Sequence, residues 1–366
     1  GRARLKILET PGHTPEAISI LVFDLEKDAK EPRAVLTGDT LFIGDVGRPD
    51  LLVSVGMSAE ELAGMLYESL HNKLLPLPDE TLVYPAHGAG SFCGKSLSTD
   101  TVSTMGDQRN YNYALQPMSR EEFVHLAIAD QPEAPKYFAY DAMLNRTERP
   151  TLEEMIARAI APISLEELLR LKNTGAQVVD VRDPADYANG YLVDTLNIGL
   201  NGGFVNWAGT ILDQETPTVI IVEPGREREA ALELGRIGFD NVVGHLHGGI
   251  QAFTGRADLV RRSNMVTAAI LAEQLSSSEP PLILDVRTEE EWREKRIEGS
   301  LNIPLSHLKE RILEVPSGRK ITCHCASGYR SSIAVSILAQ HALTEVVNLT
   351  GGILAWEAAG LETIHR

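Results

Sequence analysis

Lys320-Ile321-Thr322-Cys323-His324-Cys325-Ala326-Ser327-Gly328-Tyr329-Arg330 is the stretch that decides the fold of the last third of this 366-residue chain. Residues 320–324 read as a short strand and residues 331–342 as a helix, so one thiol, Cys325, sits in a tight loop between them. The first amides of a helix have no partner within it, and its dipole places partial positive charge at that end. A free cysteine titrates near pH 8.5, which leaves roughly 3% thiolate at neutral pH, and a drop of about two units makes the thiolate the majority form. Here the amides of Ala326, Ser327, Gly328 and Tyr329 and the charge of Arg330 favour the ionised sulfur, and Gly328 permits the turn. Such a loop suits an anionic substrate with a transferable sulfur: Cys325 attacks, the amides and Arg330 hold the charge, and the product is a cysteine persulfide. The plain alternative for Cys325 is an inert buried thiol, and Cys323, within the strand, reads as core.

Cys-x-x-Gly-x-Arg after a strand resembles the active loop of the rhodanese sulfurtransferases. Two further family features stand upstream of it, Asp285-Val286-Arg287 and Gly299-Ser300-Leu301-Asn302-Ile303-Pro304. Cysteine-dependent phosphatases resemble Cys-x5-Arg, one residue longer, so the shorter loop favours sulfur over phosphate.

The pattern occurs twice. Val179-Asp180-Val181-Arg182 matches Leu284-Asp285-Val286-Arg287, Leu196-Asn197-Ile198 matches Leu301-Asn302-Ile303, and Gly248-Gly249-Ile250 matches Gly351-Gly352-Ile353. Alternating short apolar strands and helices in each copy imply parallel α/β sheets with the active loop at the strand ends. In the first copy Glu223-Pro224-Gly225-Arg226 stands where the second has its cysteine loop, and no cysteine lies between residues 94 and 322. That copy is expected to be catalytically silent and to serve packing and docking, with Arg226 at the arginine position; anion sensing is the other reading.

Upstream, Thr10-Pro11-Gly12-His13-Thr14, Thr37-Gly38-Asp39-Thr40 and Tyr84-Pro85-Ala86-His87-Gly88 each follow an apolar run. Singly these are ordinary turn residues; together, two imidazoles and a carboxylate suit zinc or iron(II). The blocks resemble the second half of the metallo-β-lactamase fold, and residues 37–43 with Gly47-Arg48-Pro49-Asp50 are similar to its persulfide dioxygenase branch. The resemblance implies one Fe(2+), with His13 and Asp39 among its ligands, His87 nearby without ligating, and Arg48 helping to hold a glutathione-like substrate. The branch's His-x-His-x-Asp-His block, which supplies the remaining ligand, would precede His13, and only twelve residues do so here. The chain is therefore expected to be a piece of a longer protein or a truncated domain. Half of an αββα sandwich leaves an apolar sheet face to be covered, and helices expected over residues 57–71 and 120–130 can do part of this. Cys93 reads as a small core or loop residue, with a thiol role near the metal as the alternative.

The expected organisation is a partial metallo-β-lactamase αββα sandwich with a helical extension at 1–150, a silent rhodanese-like domain at 163–262 and an active one at 263–366, all α/β. The joints at 145–162 and 261–264 are too short and too poor in glycine and serine to act as free tethers. A formal charge of -17 and a pI near 5.1 argue against nucleic acid and anionic membranes as partners. Three scattered cysteines form no disulfide framework, which points to the cytoplasm. The function expected is transfer of sulfane sulfur from a persulfide or thiosulfate to a thiol, sulfite or cyanide, in a homo-oligomer (dimer or tetramer) whose parent oxidises thiol persulfides to sulfite. A glyoxalase II-like thioester hydrolase and a non-catalytic persulfide-sensing module are the alternatives.

Overall fold

The computed structural model describes residues 2–51, 56–89, 91, 93–95, 97–129, 131, 137–144, 147–343 and 345–365. The chain divides into two compact units, Gly1–Asn145 and Arg146–Arg366. No helix among the described residues is long and apolar enough to cross a membrane.

The first unit is built on one mixed sheet whose strands lie in sequence order: Ala3–Glu9, Ile18–Asp24, Ala34–Gly38, Leu82–Pro85 and Ser103–Thr104. Alternation along Ile18–Asp24 buries Ser19, Leu21 and Phe23 on one face. With Val35 and Val83 that face joins a core containing Leu66, Leu70 and Phe123. Leu66 and Phe123 belong to helices Ala59–Ser69 and Arg120–Ile128, each begun by a serine capping box, Ser58 with Glu61 and Ser119 with Glu122. These are the two helices expected from the sequence, the second stopping short of Asp130, which lies outside the described residues. The other face is apolar and open: Leu5 is 62% exposed, Ile7 54%, Ile18 45%, Leu36 41% and Tyr84 41%. Register places them together, since Leu5 pairs with Val22, Ile7 with Ile20, Ile20 with Leu36 and Leu36 with Tyr84. Among the described residues, helices Ala59–Ser69 and Arg120–Ile128 cover the side carrying Leu21 and Phe23.

The second unit holds two parallel five-stranded sheets of the same winding. The first runs Pro162–Ile163, Val242–Leu246, Thr218–Ile221, Gln177–Asp180, Leu196–Asn197, and the second Asn264–Val266, Val346–Leu349, Ile321–His324, Leu282–Asp285, Leu301–Asn302. Of the expected first joint, Asn145 and Arg146 lie outside the described residues. The rest is ordered: Thr151 caps helix Leu152–Ala159, and Arg149 forks onto Asp240 at 2.7 and 2.9 Å.

Each repeated Asp-x-Arg closes on itself. Arg287 Nε and Nη2 donate to the Asp285 carboxylate and Nη2 also to Lys295 O; Arg182 does the same to Asp180 and Gly190 O. All four side chains are nearly inaccessible, and a bidentate fork is the geometry in which a buried guanidinium is satisfied. The repeated asparagine braces the same corner. Asn302 Nδ2 donates to Asp285 O and Arg287 O, and Asn197 Nδ2 to Asp180 O and Arg182 O.

The two copies are also joined to each other. Asn197 Oδ1 accepts from Ser332 Oγ at 2.9 Å and Asn197 N donates to Ser336 Oγ at 3.1 Å, so the first copy grips the helix Tyr329–Gln340 that follows the cysteine loop.

Candidate active site

Strand Ile321–His324 delivers Cys325 to a loop that ends at Gly328, whose φ of +105° opens the helix Tyr329–Gln340. Cys325 Sγ accepts from Gly328 N at 3.1 Å and from Ser331 Oγ at 3.5 Å. Behind it, Ile353 N and Leu354 N, from the start of helix Gly352–Ala358, donate to Cys325 O and Ala326 O at 2.9 and 3.1 Å. A Cβ on Gly352 would run into those two carbonyls, so this glycine is required by space. Ser327 is exposed at the loop tip, whereas Cys325 itself is 1% exposed. Cys323 is fully buried and burial pushes its thiol well up, in keeping with a core role.

Arg330 is placed differently from the sequence expectation. Its two terminal nitrogens donate to the two oxygens of Glu291, each at 2.7 Å, and Glu291 also accepts from Thr288 N at 2.9 Å as the third residue of a capping box. Burial pushes the Glu291 carboxyl up, but the Arg330 fork and the Thr288 amide outweigh it and bring it down to about 2. The guanidinium is thus already paired with a carboxylate rather than open to a ligand. Tyr329 turns the other way, and its hydroxyl donates to Gly199 O of the first copy at 2.6 Å. His324 is fully buried, 3.4 Å from Asp285, and burial lowers its pKa so that it stays neutral.

Register corrects the reading of the first copy. Ile221 pairs with Asp180 as His324 pairs with Asp285, so Val222 stands at the level of Cys325. Counting on, Gly225 matches Gly328, Arg226 matches Tyr329, and Glu227 stands at the arginine position that was expected for Arg226. Gly225 has φ +94°, and its N–H donates to Glu227 Oε2 at 2.9 Å, where the second copy's amide meets sulfur. Arg226 forks onto Glu229 and touches Asn201. An apolar side chain replaces the thiol and the loop's own carboxylate takes the amide, which disfavours anion sensing there.

In the first unit, His13 Nε2 lies 3.4 Å from Asp39 Oδ2, and His87 Nδ1 lies 2.8 Å from Asp39 Oδ1. His13 Nδ1 is 3.0 Å from Arg48 O, which leaves Nε2 facing Asp39. Burial lowers His13, whereas the Asp39 carboxylate and then Cys93 push His87 up to about 10. His13, Asp39 and Cys93 each bring one ligand atom within 4.8 Å of the others, so the thiol stands at the site and not merely near it. Asp39 Oδ1 has His87 Nδ1 against it, while Oδ2 faces His13 Nε2. A carboxylate beside an inward-facing imidazole nitrogen and a thiol is a donor set that fits a transition-metal ion. Arg48, expected to meet substrate, is 1% exposed and forks onto Asp50 at 2.7 Å, and its main-chain carbonyl meets His13.

Residues 164–256 and 267–359 each match the rhodanese-like domain family, together just over half of the chain. The chain belongs to the rhodanese-like family. Over 101 residues it is 34% identical to a sulfurtransferase of Allochromatium vinosum, which covers 28% of this chain and 94% of that protein. Over 126 residues it is 34% identical to the mitochondrial persulfide dioxygenase ETHE1 of Homo sapiens, covering 34% of this chain and 41% of that protein. The chain thus spans about two-fifths of the length of that dioxygenase. Among solved structures, a metallo-β-lactamase from Staphylococcus aureus subsp. aureus COL superposes with a TM-score of 0.55 at 32% identity, covering 67% of each chain. Two rhodanese-like domains are therefore joined to a segment homologous to metallo-β-lactamase-type proteins, the α/β combination expected from the sequence.

Glu291, Ser331 and Glu227 were not singled out from the sequence. Glu291 had a visible signal, Thr288-x-x-Glu291, which announces a capping box but not its second partner.

Proposed function

We propose that this protein is a sulfurtransferase whose nucleophile is Cys325, in a polypeptide that also handles low-molecular-weight persulfides through its first unit. The observation that carries the reading is a cysteine sulfur at a strand-to-helix junction receiving both a main-chain N–H and a hydroxyl. Those donors hold the ionised sulfur and, after transfer, the outer sulfur of a persulfide. In the first half-reaction the Cys325 thiolate attacks the outer sulfur of R–S–SH, the donor S–S bond breaks, and RS⁻ leaves with the bonding pair. In the second, sulfite, a thiol or cyanide attacks that same outer sulfur, and the Cys325 thiolate is released. The exposed tip at Ser327 and the amides of Ala326, Ser327 and Tyr329 line the approach, while the silent copy anchors the loop's helix through Asn197 and Gly199.

In the first unit, His13 and Asp39 would hold Fe(2+), with Cys93 within reach and His87 hydrogen-bonding distance from Asp39. When bound, the metal would supply the O2 chemistry that oxidises persulfide sulfur to sulfite, and sulfite is an acceptor for the sulfur on Cys325. His13 is held for this by the Arg48 carbonyl.

Intact-protein mass after exposure to a persulfide tests the reading. A gain of one sulfur atom that disappears on adding cyanide is expected, lost in Cys325→Ser and retained in Cys323→Ser. An adduct that survives Cys325→Ser, or no adduct at all, would show that Cys325 is not the sulfur carrier and would favour a docking module.

A further inference from the structure

The Cys325 loop presents an electrostatic setting that its motif does not announce. Arg330, the one full positive charge of the loop, is held by both oxygens of Glu291, and Glu291 is itself fixed by Thr288 N. A second guanidinium beneath the loop, Arg287, is closed on Asp285. Each pair sums to zero. Toward an arriving donor the loop therefore offers chiefly main-chain and hydroxyl dipoles.

Two donor classes differ in just this respect. Thiosulfate is a dianion with its charge on the group bonded directly to the transferable sulfur. Transfer from it requires the Cys325 thiolate to attack that sulfur and sulfite to leave with the S–S bonding pair, so negative charge gathers at the loop throughout. An organic persulfide, R–S–SH, brings an outer sulfur that is neutral when protonated, and its thiolate leaving group departs on the side away from the loop.

We propose that Glu291 is a specificity-determining residue that makes Cys325 an acceptor of sulfur from organic persulfides and sets it against inorganic thiosulfate. This rests on the sulfurtransferase reading above and narrows its donor class. Glu291 acts by withholding the Arg330 charge, so removing its carboxylate returns a guanidinium to the loop without altering Cys325, Gly328 or Ser331. The Thr288 cap survives a glutamine at the same position, since an amide oxygen accepts from the same N–H.

The test is the steady-state kinetics of the full chain with thiosulfate and with glutathione persulfide, cyanide being the acceptor for both. For Glu291→Gln the KM for thiosulfate is expected to fall about tenfold, the size typical of an unscreened charge contact at a half-buried site. The ratio of kcat/KM values, thiosulfate over persulfide, rises with it. Glu291→Asp keeps the charge and is expected to keep a ratio near that of the parent. Glu290→Gln, a neighbour exposed to solvent, should leave the ratio where it was. Equal losses for both donors in Glu291→Gln would mean a purely structural role and overturn the proposal, as would a parent protein that already favours thiosulfate. If neither donor places sulfur on Cys325 of the parent protein, the sulfurtransferase reading itself is what fails.

Discussion

Asn197→Ala separates the two jobs of the repeated asparagine. In the first copy the Asn197 amide makes two bonds to main-chain carbonyls, Asp180 O and Arg182 O at 3.0 Å each, and its oxygen accepts from Ser332 Oγ of the second copy at 2.9 Å. In the second copy Asn302 makes the same pair of main-chain bonds, to Asp285 O and Arg287 O. Asp180 O and Asp285 O keep a second donor, Ile198 N and Ile303 N, so alanine orphans chiefly Arg182 O or Arg287 O. With each net hydrogen bond near 1 kcal/mol and an orphaned buried acceptor adding a like amount, Asn302→Ala should cost about 3 kcal/mol. Asn197→Ala should cost about 4 to 5 kcal/mol, because Asn197 is fully buried and Ser332 also loses its acceptor. Urea unfolding of the full chain, followed by far-ultraviolet circular dichroism, gives the two values. A double-mutant cycle of Asn197→Ala with Ser332→Ala should then return a coupling of about 1 kcal/mol. If the two asparagine variants were equally destabilised and the cycle gave zero, the cross-copy bond would contribute nothing and the docking role drawn from it would fall.

Acid sensitivity follows from Glu291, brought from 4.5 to about 2 in the folded protein. A depressed carboxyl contributes stability that is present above the unfolded value and lost as pH falls through the folded one. The parent protein should therefore lose stability between pH 4.5 and 2 more steeply than Glu291→Gln, measured by thermal unfolding across that window; parallel curves would refute the fork as a source of stability. Gly352→Ala, which sets a methyl group against the carbonyls behind Cys325 at φ +60°, should displace the loop and cut sulfur loading of Cys325 at least tenfold while the first unit's metal content is unchanged. Normal loading would show that the loop tolerates what its backbone spacing forbids.

The parts legible in the sequence were those encoded locally. The Cys325 loop announces itself by apolar strand, glycine and helix in succession, and the repeat is visible because Asp-x-Arg, Asn-Ile and Gly-Gly-Ile each solve one corner of the same sheet in both copies. What escaped was set by register and by partners distant in sequence. Arg226 looks like a counterpart of Arg330 until the pairing of Ile221 with Asp180 shows that Val222 is level with Cys325 and Glu227 with Arg330. Arg330 looks free until the helix after Thr288 is folded against it, 39 residues away in sequence. Arg48, expected as a substrate clamp, is forked onto Asp50 two residues on, a pairing that the Arg-Pro-Asp run does not announce. In the first unit the strand-end glycines and the three His and Asp blocks foretold the cluster, whereas the inclusion of Cys93 depended on how a long loop returns to it.

The amide of Gly225, bonded to Glu227, means that no single substitution gives the first copy a supported thiol. A cysteine placed at position 222 would arrive beside a resident carboxylate that already occupies the hydrogen its sulfur needs, and like charges so placed keep a thiol protonated. Positions 222 and 227 would have to change together before this domain could hold a thiolate as its neighbour does, so any transplant of the chemistry is a two-residue problem rather than a matter of supplying sulfur.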